Sequence, residues 1–339
     1  MHRRRRLLIG MAISLVFLYL TVRNLRPGEL WALFREANYI YLVPALAVLV
    51  AINWTRAYRW RLLMHPDQHL PLAQVYRFVN IGYLFNNILP AKAGEVVRGY
   101  LAGRLIAGGI GQAVSTLLIE RLLDVLTVVL LLMVLIPLIE LPLWVMRGGL
   151  LFGAVAVVGT VVLVVLSRLG TKGVDWVWRF VGRVPLVGHP KLKAVLQNLT
   201  EGFAVLTNLR LLPGVVVSSL LIWFGYALFN YILMAVFRLT QLPFMAAALV
   251  LCATGFSMVV PSSPGAMGVF EWAAVQALAV FGIESSVAFG YALGLHTFTN
   301  VVLILFGLVG LAREGLSYAQ IHSQVIGSAP PDAHAPPTD

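Results

Sequence analysis

Three short stretches of this chain set ionisable and helix-breaking residues inside otherwise apolar sequence. The first is Asn86-Asn87-Ile88-Leu89-Pro90-Ala91-Lys92-Ala93-Gly94-Glu95-Val96-Val97-Arg98. A helix restarting after Pro90 would point unpaired N–H groups and a positive dipole end towards Lys92 and Arg98, which is the chemistry of an anion site. The competing reading pairs Glu95 with Arg98 at i, i+3 and lets Lys92 snorkel to the interface.

The second stretch is Glu120-Arg121-Leu122-Leu123-Asp124, in which Thr116, Glu120, Asp124 and Thr127 share one helical face. Three ionisable groups near mid-span cost roughly 3 kcal/mol each on an insertion scale, and the sixteen Leu, Ile and Val residues of 113–137 return roughly 0.5 kcal/mol each. The two sums nearly cancel, so the acids must face protein, a partner such as Arg98, or trapped water. An Arg121–Asp124 bridge that neutralises itself competes with direct contact to substrate.

The third stretch is Val260-Pro261-Ser262-Ser263-Pro264-Gly265-Ala266-Met267-Gly268-Val269-Phe270-Glu271. Ser262 and Ser263 suit the cap of a helix starting at Pro264, and Gly265 and Gly268 admit a neighbouring backbone or a ligand. Helix packing alone would explain the glycines but not Glu271. A second layer of polar residues lies on two flanking runs: His296, Thr299 and Asn300 on one face, and Trp223, Tyr226 and Asn230 on another. Such residues either line the same cavity or hydrogen-bond between helices. His65 and His69 are separated by Pro66 and have no evident third ligand. No P-loop, nucleophile elbow or Cys/His pair occurs, so no catalytic residue, metal or cofactor is expected.

The elements that must position these residues are membrane spans. The 339-residue chain is 60% hydrophobic and only 12% charged, which excludes a soluble globular domain. The formal charge of +11 falls in short clusters between long apolar runs, so the basic partner is a membrane surface rather than nucleic acid. The single cysteine, Cys252, lies in an apolar run and forms no intramolecular disulfide.

Runs long enough to cross a bilayer fall near 7–22, 39–55, 113–137, 143–167, 213–236 and 286–311. Arg3 to Arg6 precede the first, and no small-residue cleavage site follows it, so it reads as a retained span rather than a signal peptide. The regions 73–107 and 243–281 are each broken in the middle, at Leu89–Gly94 and Val260–Gly265, and read as re-entrant hairpins. Sixteen of the 25 Lys and Arg then fall on one side: four before the first span, four in 56–77, seven in 168–212, and Arg313. That count puts both termini of a multi-pass protein in the cytoplasm.

The fold expected is therefore an all-α polytopic membrane protein of about six spans and two re-entrant hairpins. Span, broken hairpin and span recur at 39–137 and 213–311 with opposite orientation, an inverted repeat of the kind found in transporters. A single transmembrane domain covers 1–315, and within it an amphipathic cytoplasmic connector occupies 168–212, with Trp176 and Trp178 as interfacial anchors. A C-terminal tail occupies 316–339, disordered from about 327.

The strings NNILPAKAGEVVRGYL, STLLIERLLDVL and VVPSSPGAMGVFEWAAV resemble, in order and spacing, the signature blocks of the flippase-like transmembrane domain of lysylphosphatidylglycerol synthases and of stand-alone proteins related to it. The resemblance runs from about residue 7 to 315. It implies a helical domain that moves a lipid or its headgroup between leaflets. It points to Asn87, Pro90, Gly94, Glu95 and Arg98, to Glu120, Arg121 and Asp124, and to Pro264, Gly265, Gly268 and Glu271. The soluble aminoacyl-transfer domain of the full synthases has no counterpart here, so lysine transfer is not expected. The expected function is a lipid transporter of the cytoplasmic (inner) membrane that binds a phosphate-bearing headgroup with Asn87, Lys92, Glu95, Arg98, Glu120, Arg121, Asp124, Ser262, Ser263 and Glu271. Asn86 stands behind them, and Pro90, Gly94, Pro261, Pro264, Gly265 and Gly268 shape the hairpins. The alternatives are a membrane enzyme acting on a phospholipid or polyisoprenoid headgroup, and a non-catalytic scaffold for lipid synthesis. Membrane lipids are the expected partners, and a second copy of the chain or a lipid-synthesis enzyme is left open.

Overall fold

The computed structural model describes residues 2–23, 25–64, 69–89, 93–140, 210–258 and 263–321, with isolated positions between 143 and 208. Helix α1 (His2–Val22) and α2 (Pro27–Glu36) lead to a 3-10 turn at Tyr39–Tyr41, then α3 (Leu42–Leu63), α4 (Leu72–Ile88), α5 (Ala93–Gly103) and α6 (Gly109–Leu135). A second series comprises α7 (Leu212–Val236), α8 (Phe244–Ser257), a 3-10 turn at Pro264–Ala266, α9 (Val269–Ala279), α10 (Ser285–Arg313) and the short α11 (Tyr318–Ile321).

Local sequence accounts for the boundaries. Pro27 and Pro213 sit in the first turns of α2 and α7, where a missing N–H costs nothing. Asn38 accepts the Ile40 N–H with its side chain and holds the first 3-10 turn. Helix α4 stops because Leu89, the residue before Pro90, is extended. Between α8 and α9 the chain turns through Gly265 (φ 71°) and Gly268 (φ 85°), left-handed conformations that favour glycine.

Among the described residues, three stretches, Tyr39–Leu63, Leu212–Val236 and Ser285–Arg313, are long and apolar enough to cross a membrane. Helix α6, 27 residues and therefore about 40 Å long, would reach as far, but it carries the three charges of its polar face. Large apolar side chains such as Leu220, Phe224, Leu305 and Val309 are exposed on α7 and α10, as expected of surfaces that meet lipid. Helix α4 ends at Ile88 and α5 starts at Ala93, while α8 ends at Ser257 and α9 starts at Val269, so neither region is one continuous helix. The span expected at 143–167, the connector 168–212 and the tail from 322 lie largely or wholly outside the described residues.

The packing partners of the two series correspond. Helix α3 packs on α7, α4 on α10 and α6 on α8. Every packing of α3, α4, α5 and α6 on one another (α3 with α4, α4 with α5, α5 with α6, α3 with α6) recurs among α7, α8, α9 and α10. The turn Pro264–Ala266 of the second hairpin rests on α4 of the first. Helix α1 closes the second hairpin from outside: Ser14 Oγ accepts the Ser263 N–H at 2.9 Å, Phe17 meets Trp272 edge-on, and the Ser14 carbonyl leaves no room for a Cβ at Gly268.

One expectation is corrected here. Arg56 and Arg59 are not loop charges, because α3 runs on to Leu63 and buries both. Apolar neighbours such as Trp60, Leu62 and Leu63 continue the helix past the point where the apolar run ends. Fourteen basic residues, not sixteen, therefore bear on which side of the membrane the loops lie.

The α4–α10 seam depends on a small residue. A Cβ at Gly307 would meet Leu84 and the Asn80 carbonyl, whereas one at Gly28 would meet nothing. Gly307→Val should lower stability by about 1–3 kcal/mol, the usual penalty of overpacking, and Gly28→Ala should be nearly neutral. Thermal unfolding of the detergent-solubilised variants checks this, and equal behaviour of the two would refute the seam.

Candidate functional site

Helix α6 turns Thr116, Glu120, Asp124 and Thr127 inward, and all four are buried. Glu120 is fully buried and accepts three charged hydrogen bonds: from Arg98 Nη2 at 2.5 Å, from Arg121 Nη2 at 2.9 Å and from Arg56 Nη1 at 3.1 Å. Asp124 accepts from Arg59 Nη2 at 2.7 Å, Arg56 Nη1 at 3.2 Å and Trp223 Nε1 at 3.3 Å. Arg121 Nη1 lies a further 3.4 Å from Asp124, and its Nε lies 3.3 Å from Glu95. The cluster thus joins α3, α5, α6 and α7.

The guanidinium groups are held by more than charge. Arg98 lies over the Trp60 ring at 4.2 Å and Arg56 over Tyr226 at 5.4 Å, while Arg59 donates to Ser219 Oγ at 3.0 Å. Trp60 Nε1 in turn donates to Thr116 at 2.9 Å. Rings placed this way stabilise a cation where water is scarce. Among the described residues, four arginines face three carboxylates, so the cluster holds one cation in excess.

A polar cavity opens beside it, lined by Tyr83 and Asn86 from α4, Gly94, Glu95 and Arg98 from α5, and Arg121 from α6. Its volume of about 10 Å³ has room for one water molecule. The Tyr83 hydroxyl, Asn86 Oδ1 and Arg98 Nε are buried without a hydrogen-bond partner. Such groups are costly unless something arrives to satisfy them. The cavity is closed by a glycine seam: a Cβ at Gly94 would collide with the Gly82 carbonyl and with Asn86.

The expected residues divide between two places. Glu95, Arg98, Glu120, Arg121 and Asp124 meet in the cluster, Asn86 lines its cavity, and Trp223 and Tyr226 pack behind it. Glu95 and Arg98 do not pair with each other: Glu95 goes to Arg121 and Arg98 to Glu120. The self-neutralising Arg121–Asp124 contact exists but is one link among many. Asn87 donates to the Tyr83 carbonyl at 3.1 Å, and its Oδ1 stands near Gly265, where the hairpins meet.

Glu271 stands apart from the arginines, paired with His296 at 2.5 Å. Asn230 donates to the Ala247 carbonyl and Thr299 to Leu295 within its own helix, so both hold helices rather than face the cavity. Asn300 is half-buried, and Ser263 is bonded through its N–H to α1. Gly265 and Gly268 make the turn, and Pro264 opens its 3-10 segment. Pro90, Lys92, Pro261 and Ser262 lie outside the described residues.

Sequence reasoning missed Arg56 and Arg59. Their signal was the spacing Asn53, Arg56, Trp60 and Leu63, a helical stripe running past the apolar core of the span. All four are buried, and Asn53 donates to Asn80 Oδ1 at 3.3 Å.

Glu120→Gln keeps the shape of the side chain but strands the surrounding arginines. It should cost about 3–5 kcal/mol, the penalty for breaking a buried ion pair, whereas Glu95→Gln at the partly exposed edge should cost about 1 kcal/mol or less. Thermal unfolding in detergent checks the difference, and similar losses would show that the cluster does not hold these helices together.

A family model described as the lysylphosphatidylglycerol synthase TM region matches residues 7–307. A UPF0104 membrane protein of Methanocaldococcus jannaschii is 26% identical over 233 residues, covering 66% of this chain and 91% of that protein. A UPF0104 membrane protein of Methanothermobacter thermautotrophicus is 21% identical over 295 residues, covering 83% of this chain and 87% of that protein. No solved structure matches the chain.

Proposed function

Because the chain belongs to the lysylphosphatidylglycerol synthase transmembrane-region family, a membrane family with a lipid-related role, we propose that it moves a lipid with a phosphate-bearing headgroup between leaflets of the cytoplasmic membrane. The observation that carries this reading is the buried arginine cluster with a cation in excess, bordered by a cavity whose Tyr83, Asn86 and Arg98 atoms lack partners. Guanidinium groups match phosphate oxygens in geometry and charge, and water-poor surroundings strengthen the contact. Acyl or prenyl chains remain in the bilayer. The headgroup enters when α5 parts from α4 at the Gly82–Gly94 seam, with Asn87, Lys92, Ser262 and Ser263 as further contacts.

Transport is preferred to headgroup chemistry because Glu120 and Asp124 are each held by several arginines, which commits them as acceptors rather than as acid and base. The corresponding packing of α3–α6 and α7–α10 supports a repeat, which we propose to be inverted around re-entrant hairpins, with both termini cytoplasmic. Cysteine labelling after Cys252→Ala should then find Leu70 on the cytoplasmic face and Gln241 on the opposite one. Labelling of both from one face would overturn the inverted arrangement.

The function itself is tested in vesicles reconstituted with purified protein and a fluorescent phospholipid, scored by reduction of label in the outer leaflet. A charged hydrogen bond is worth about 1.5–3 kcal/mol, so Arg121→Gln should slow translocation roughly tenfold to a hundredfold while the protein still inserts. Arg121 is the variant of choice because its side chain is the most exposed of the four arginines. Full activity of Arg121→Gln would remove the cavity from the transport path.

A further inference from the structure

A second buried ionisable pair lies in the other hairpin. Glu271 Oε1 and His296 Nδ1 stand 2.5 Å apart, within hydrogen-bond reach, and both residues are buried. Glu271 Oε2 accepts the Gly268 N–H at 2.6 Å, and the Phe270 ring stacks on the imidazole at 4.3 Å, so both partners are fixed in place.

This pair occupies the position of Glu95 and Arg121. Glu95 is the third residue of α5 and Glu271 the third of α9; Arg121 is the thirteenth of α6 and His296 the twelfth of α10. These are the same positions within the residue or two by which helix starts differ. In both series, the carboxylate in the first turn of the hairpin's second limb reaches a base on the following long helix.

The chemistry around the two pairs differs. Counted from the helix starts, Arg56, Arg59 and Arg98 have Tyr226, Phe229 and Ala274 as counterparts. The first pair is surrounded by guanidinium groups that never lose their protons. The second relies on an imidazole, which does so near neutral pH.

Among the described residues, no other charged side chain pairs with Glu271 or His296. Helix α7 has no charged residue and offers Tyr226 and Tyr231; α8 has none and offers only the buried Cys252. Helix α1 from Met11 to Val22 has no charge, and its Tyr19 is exposed. On α4, Arg77 is taken by Glu314, with Tyr76 and Tyr83 as its other titratable groups. On α10, Tyr291 donates to the Asn230 carbonyl and Arg313 ends the helix. Helix α2 contributes Glu29, bound to Arg26, and Arg35 and Glu36.

We propose that Glu271 and His296 form a proton-binding site that controls opening of the second hairpin. With one proton the pair is an imidazole N–H against a carboxylate, and it buries a net charge of −1. Binding one further proton on the imidazole, taken from the aqueous phase, gives an imidazolium–carboxylate pair with no net charge. Burying the neutral pair costs less, so proton binding favours α9 closed on α10, and proton loss favours opening. The effect on lipid movement rests on the transport reading above, whereas proton binding does not.

Two measurements on the full chain separate these. In nanodiscs, nitrogen NMR of labelled histidine should show the His296 imidazole, identified by its loss in His296→Gln, titrating between about pH 5 and pH 9, and that titration should move in Glu271→Gln. In vesicles, fluorescent-phospholipid translocation should change at least ~5-fold between about pH 6 and pH 8, and should become flat within ~2-fold in His296→Arg, which copies the permanent charge of the first hairpin. A His296 imidazole that does not titrate, or a pH profile unchanged in both His296→Arg and Glu271→Gln, would overturn the proposal even if lipid moves. Titration in a protein that moves no lipid at any pH would leave the proton site standing and remove the transport reading instead.

Discussion

A fully buried carboxylate on a long, otherwise apolar helix is the constraint on which this structure turns. Glu120 keeps its charge only because Arg56, Arg98 and Arg121 converge on it, and those side chains come from α3, α5 and α6 itself. Helix α3 must therefore run on past its apolar stretch to bring Arg56 and Arg59 inward, and the short α5 must stand against α6. Asp124 adds α7 through Trp223, while Arg59 adds it through Ser219. The interruption between Ile88 and Ala93 makes that geometry attainable, because a straight helix of that length would carry Arg98 away from α6.

The two hairpins show how similar scaffolding can support different electrostatics. Each is closed by a glycine contact too tight for any side chain: Gly94 against Gly82 in the first, Gly268 against Ser14 of α1 in the second. Each places a carboxylate in the first turn of its second limb, where the helix dipole favours a negative group. In the first, an excess of arginine makes the surroundings permanently cationic. In the second, an imidazole stands where the first has a guanidinium opposite its carboxylate.

Much of this was legible in the residues. The breaks at Pro90 and Pro264, the inward face of Thr116, Glu120, Asp124 and Thr127, and the meeting of Arg98 with Glu120 all follow from periodicity and from the cost of charge in lipid. Arg56 and Arg59 were misplaced because an arginine at the end of an apolar run reads as an interfacial charge; only the tertiary position of α6 shows that both are inside. Glu271 was grouped with the other acids because it follows the second break as Glu95 follows the first. Sequence spacing gives the equivalence of two positions but not the distance between them. The pairing of Glu95 with Arg121 rather than Arg98 is likewise a matter of helix packing, which an i, i+3 spacing within one helix cannot reveal.

The preference for arginine in the first hairpin bears on how an anion would be held. Each guanidinium already spends some of its N–H groups on a carboxylate or a serine, and two lie over aromatic rings, so their positions do not depend on a ligand. An incoming phosphate would meet donors already gathered and already stripped of water, and would lose little by ordering them. The cavity beside them nevertheless has room for only about one water molecule. The energetic obstacle to binding therefore lies in parting α5 from α4, not in assembling the site. On the transport proposal that division would serve both recognition and release of a headgroup, with affinity in a rigid cluster and access at a seam of two glycines.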